Sequence, residues 1–281
     1  MNAEHGQSGI RRILVALDAA THTSGSLETV AKLAARLRAE VTGLFVEDED
    51  LIRTAGLACV RQVGLPPAAA VSMNRSGMQR DLKNLASSAR RDLERAAARA
   101  RVKWSFRVVR GQVAAAVSAA AEQADLVVVE SASRPLGRHL RLGTPARAAA
   151  ERTRRPVLFL QPGPWLQRPV VALVDGTGAS DAALEMAASL AAGRGDLRVV
   201  LAAGRLADME RLQQRVDDRL SSRRLRLRTY QLPAPSAEGV CAVARQLGSG
   251  VLVAALDCSL LADERARELL RGLDCPVMLV R

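Results

Sequence analysis

The chain has 281 residues, of which 48% are hydrophobic and 25% charged, a balance that builds a folded core and excludes a disordered or low-complexity class. Forty-one Lys and Arg against 29 Asp and Glu give a formal charge of +12, and aromatics at 2% exclude a stacking platform for single-stranded nucleic acid. No apolar run approaches the roughly 20 residues of a membrane span, and the start MNAEHGQSGIRR lacks an apolar leader, so the expected setting is the cytoplasm without membrane contact.

In chain order, Ile13-Leu14-Val15-Ala16-Leu17-Asp18 is an apolar run ending in Asp, followed by Leu27, Val30, Ala31, Ala34 and Leu37 at helical spacing. This predicts a strand feeding a helix. Further strands are predicted at 41–46, 104–109 and 126–129, with a long amphipathic helix at 81–101 carrying Leu82, Leu85, Ala86, Ala89, Leu93 and Ala96 on one face. Between them, residues 47–80 begin acidic (Glu47-Asp48-Glu49-Asp50) and turn rich in Gly, Pro and Ala; they read as an insertion, expected to form a partly helical cover.

The pattern then repeats. Val170-Val171-Ala172-Leu173-Val174-Asp175 matches the first strand, with Ser180 and Leu184 standing where Thr23 and Leu27 stand, each 157 positions on. Near the end of each half, Arg155-Pro156-Val157-Leu158-Phe159-Leu160 is echoed by Cys275-Pro276-Val277-Met278-Leu279-Val280 at an offset of 120. The second half also predicts strands at 198–202, 225–231 and 251–255 and a helix at 208–222. Gln161-Pro162-Gly163-Pro164 breaks the chain between the halves, with Trp165 and Leu166 packing the linker down. The expected fold is therefore α/β: two doubly wound, Rossmann-like parallel-sheet domains in tandem, 1–165 and 166–281, meeting through their last strands.

Cys59, Cys241, Cys258 and Cys275 match no metal spacing and read as buried reduced thiols, and His5, His22 and His139 are too few for a His-based cage or triad. No catalytic or metal-ligating set emerges.

At these residues the chain resembles the universal stress protein family in its tandem form. The resemblance rests on the strand ending in Asp18, Gly111 before a helix leading to Asp125-Leu126-Val127-Val128-Val129, the Gly143-Thr144 pair and the closing Arg155–Leu160 strand. It implies the adenine-nucleotide alpha-hydrolase-like form of the fold, five parallel strands per domain, and pairing of two domains through their last strands, with further association into homo-oligomers open. ATP-binding members carry a loop G-x2-G-x9-G-[ST]. Counting back from Gly143-Thr144, its first two glycines fall on Glu130 and Ser133, and the loop gains Pro135. Both lost glycines remove backbone freedom, and Glu130 sets a like charge where a phosphate would approach. By resemblance Asp18, Gly143 and Thr144 are the candidate nucleotide-site residues; Thr144-Pro145 is equally explained as a helix cap, and Asp18 as a carboxylate capping local N–H groups. In the second half the equivalent segment 255–264 has no glycine and offers no phosphate cradle.

The charge belongs to the first half: residues 1–165 hold 25 basic and 15 acidic side chains, against 16 and 14 in the remainder. Seven arginines between 134 and 155 face the single acid Glu151. Arg134, Arg138 and Arg141 form either an anion site or a solvated basic face. The expected function is that of a non-enzymatic stress-response binding protein with a degenerate ATP site and no obligatory cofactor; the alternatives are a basic anion- or nucleic-acid-associated module and an ATP-hydrolysing enzyme.

Overall fold

The computed structural model describes residues 9–17, 24–56, 61–62, 71–72, 74–130, 152–161, 165–192, 195–232, 234–261 and 273–281. Its first half runs β1 (Arg12–Leu17), α1 (Ser24–Leu37), β2 (Glu40–Asp48), α2 (Glu49–Thr54), β3 (Arg61–Gln62), β4 (Val71–Ser72), α3 (Arg75–Ala100), β5 (Trp104–Gly111), α4 (Val113–Ala121), β6 (Leu126–Glu130) and β7 (Val157–Leu160). The second runs β8 (Val170–Val174), α5 (Gly178–Ala191), β9 (Asp196–Ala202), α6 (Leu206–Leu220), β10 (Arg226–Leu232), α7 (Ala237–Gln246), β11 (Val251–Ala255) and β12 (Val277–Val280), with 3₁₀ turns at Trp165–Gln167 and Ser259–Leu261.

Ten strands form one sheet in the order β10-β9-β8-β11-β12-β7-β6-β1-β2-β5. Each half contributes five, wound outward from its own first strand, and among the described residues every pairing of this sheet inside a half is parallel. The halves meet where β12 runs antiparallel to β7, with Met278 opposite Leu158. This is the junction the closing strands of the two repeats predict. The strands near the middle are apolar on both faces: β1 sends Ile13, Val15 and Leu17 into one core and Leu14 and Ala16 into the other. A parallel sheet covered on both sides requires such continuous apolar runs.

The first core is continuous across both halves, joining Leu27 and Val30 of α1 to Leu184 and Ala187 of α5. Arg36 of α1 also donates to the carbonyl of Leu190 in α5. Where residues 165–169 enter the second half, Gly250 is packed so closely that a Cβ there would lie 2.3 Å from the Trp165 carbonyl oxygen and 2.6 Å from that of Arg168. Only glycine fits this approach.

Helix α3 begins at Arg75, six residues before the expected 81, because Asn74 caps it: its Oδ1 accepts the Gly77 N–H at 2.6 Å. The first turn and a half carries no apolar face, so periodicity does not register it. Of the insertion 47–80, the first two residues prolong β2 to Asp48, and the other described parts are α2 with residues 55–56, the β3/β4 ribbon, Asn74 and this start of α3; the rest lies outside the described residues.

Candidate functional site

In a sheet wound outward from β1 the ligand crevice lies beyond the carboxyl ends of the strands flanking the reversal, here β1 and β6. Asp18, which follows β1, and Gly143, Thr144, Arg134, Arg138 and Arg141 lie outside the described residues. What is described is the floor, formed by Leu17, Glu130 and the first turn of α1.

Glu130 ends β6, and its Oε1 accepts a hydrogen bond from the buried Ser26 hydroxyl at 2.6 Å. Ser26 sits in the first turn of α1, so the carboxylate lies at the positive end of that helix, where an anion is favoured. The chain has placed its own anion at a spot where a phosphate is otherwise attracted. Beside Glu130, between β1, β6, β7 and α1, the enclosed space is about 10 Å³, room for one water at most. Sequence reading identified Glu130 but not Ser26, which no motif singles out; its position three residues after Thr23, in the first turn of the helix, was the available signal.

At the equivalent strand end of the second half, the carboxylate of Asp175 is taken up by direct bonds. Asp175 Oδ1 accepts from the Thr177 N–H at 3.1 Å and the Thr177 hydroxyl at 2.7 Å, and Oδ2 from the Ser259 N–H at 3.4 Å. The Cys258 thiol donates to the same carboxylate. Burial alone would raise this carboxyl, but the bonds from Thr177, Cys258 and Ser259 hold it below the usual carboxylate value. For Cys258, burial and the Asp175 partner push the thiol up to about 12, so it stays protonated and unreactive. The 3₁₀ turn that follows drives Leu261 fully into the core. Asp175 thus ties its own strand end to the loop after β11.

Cys241, Cys258 and Cys275 are free and buried, and burial raises all three thiols, Cys275 to about 11; Cys59 and the three histidines lie outside the described residues. Among the described residues no three metal-ligating side chains gather, and no helix is long and apolar enough to cross a membrane. Of the seven arginines, Arg155 is described bonding the Glu122 carbonyl at 2.8 Å, the free end of α4, a capping role.

A family model of the universal stress protein family matches residues 9–161. The chain belongs to the universal stress protein family. Among solved structures it is similar to a universal stress protein from Archaeoglobus fulgidus DSM 4304, at 13% identity and a TM-score of 0.69, covering 96% of each chain. It is also similar to a functionally unknown protein from Pseudomonas aeruginosa PAO1, at 15% identity and a TM-score of 0.58, covering 97% of this chain and 92% of that one. Both likenesses extend over nearly the whole length, so the paired-half architecture is shared. No curated protein sequence matches this universal stress protein.

Proposed function

We propose that this universal stress protein is a non-enzymatic, cytoplasmic stress-response binding protein built of domains 1–165 and 166–281, in which the nucleotide site of the first domain is weak or lost and the second serves as structural partner. The observation that carries this reading is the Ser26–Glu130 bond at the switch point: ATP binding there would have to displace an internal carboxylate from the α1 end. The part-buried carboxylate opposes a phosphate at close range. The second domain supports the same reading, because Asp175 is spent on Thr177, Cys258 and Ser259.

The test is calorimetric titration of MgATP into the wild type and the Glu130→Gly, Ser133→Gly double variant at low salt. Removing the internal anion and restoring two glycines is worth about 3 kcal/mol, on the order of a hundredfold in affinity. Weak or absent binding by the wild type with recovery in the variant is the expected result. Tight binding by the wild type overturns the proposal, and so does turnover of ATP by the pure protein.

A further inference from the structure

At the opposite end of the same strands, the amino ends of β1, β2, β5 and β6 and the carboxyl ends of α1 and α3 line an open, cationic cavity of about 820 Å³ whose basic side chains are exposed. Its size is that of a small-ligand site. Arg11, Arg12, Arg38, Arg101 and Lys103 line it, with Glu40 and Asp125 as the acids. Asp125 is already committed: it accepts the Arg11 and Arg12 N–H groups at 2.9 Å each and the Arg12 guanidinium at 3.2 Å. Five cations against two carboxylates and two helix ends of about half a negative charge each leave an excess of about two positive charges.

The backbone adds an independent observation. Among the described residues only two that are not glycine have positive φ, Arg38 at 54° and Arg101 at 55°, and both line this cavity. Each stands just past a helix, where its successor's N–H closes the turn: Ala39 onto Ala34 at 2.9 Å and Val102 onto Ala97 at 3.1 Å. Glycine is the unstrained choice at such a position. The matching turn of the second half, between α5 and β9, uses it, with Gly195 at φ 77°. Complementing a helix dipole needs a cation in the last turn and does not require one in the left-handed residue itself. Both left-handed positions therefore carry arginine, and both residues line the same space.

We propose that this cavity is a binding site for a small polyphosphate anion, held by Arg38 and Arg101 with support from Arg11 and Lys103. Guanidinium forks match phosphate oxygens in pairs, and the four cations come from three separate chain segments around the same space. The site is separate from the crevice at the carboxyl ends and does not rest on the reading of that crevice.

The experiment is calorimetric titration of inorganic triphosphate at low salt into the wild type, the Arg38→Gly, Arg101→Gly double variant, and an Arg134→Ala, Arg138→Ala, Arg141→Ala triple variant. Relief of left-handed strain offsets the added chain entropy of glycine, so the double variant keeps its Tm within a few degrees and lost binding is not lost folding. Saturable binding by the wild type, weakened at least about tenfold in the double variant and unchanged in the triple variant, is the expected result. No binding by the wild type, equal binding by the double variant, or a comparable loss in the triple variant overturns the proposal. So does a short DNA duplex that binds with this sensitivity to Arg38 and Arg101 when triphosphate does not.

Discussion

Asp18 and Asp175 occupy the same place in the repeat, and the structure shows what the second of them does: its carboxylate gathers Thr177, Cys258 and Ser259 at the end of β8. Because these bonds favour the charged form, the folded-state value lies below the unfolded one. The stabilisation is therefore complete above the unfolded value near 4 and is lost as pH falls through the lower folded value. Asp175→Asn is expected to lower stability by about 1–2 kcal/mol at pH 7, the worth of charge-assisted hydrogen bonds made neutral. The gap between variant and wild type, followed by urea unfolding at several pH values, should narrow steadily below pH 4. A gap that stays constant with pH would assign the residue a purely steric role.

At the scale of elements, the turn preceding β11 depends on one absent side chain. A Cβ on Gly250 would sit 2.3 Å from a backbone oxygen of the 165–169 segment, which cannot swing aside as a flexible side chain can. The Gly250 N–H also donates to the Pro169 carbonyl at 2.8 Å, so moving the turn costs that bond too. Gly250→Ala is expected to destabilise by about 2–4 kcal/mol, read as a lower urea midpoint with an unchanged slope. Ala at Gly195, whose Cβ would meet nothing within 4 Å, serves as the control and costs only left-handed strain. None of this was legible in the sequence, where Gly248-Ser249-Gly250 reads as an ordinary loop. What was legible is the set of strands: apolar runs ending in Asp, repeated at a fixed offset, carry their own type and order, and β11 occupies the predicted 251–255. The start of α3 was not, since a polar first turn has no period and its signal is the single cap Asn74. Likewise the Glu130 position was readable from glycine spacing, whereas its partner Ser26 depends on how α1 meets the end of β6, a long-range arrangement that local pattern does not encode.

For the whole molecule, the antiparallel β7–β12 seam decides how the halves behave. All four residues of β7 are buried, two toward each face, and the strand is central only because β12 covers its outer edge. The outer strands of the full sheet are different: β5 and β10 have only exposed and half-buried positions and carry Arg107, Arg110, Arg226 and Arg228, charges that discourage further pairing. The intact chain therefore keeps its adhesive edge inside and its charged edges outside. Separating the halves exposes the adhesive edge. A fragment of residues 1–161, which spans the family match, would present Val157–Leu160 with unpaired backbone groups and no arginine within the strand. Since β12 approaches β7 antiparallel, with Met278 facing Leu158 and Leu279 facing Val157, a second copy of β7 can approach along the same direction with residues of similar size. The fragment is accordingly expected to form a two-fold dimer with β7 against β7, measured as twice the fragment mass by light scattering. A wild-type fragment that stays monomeric and folded would show that β7 tolerates water at its edge, and that the contacts between α1 and α5, not the strand seam, hold the two halves together.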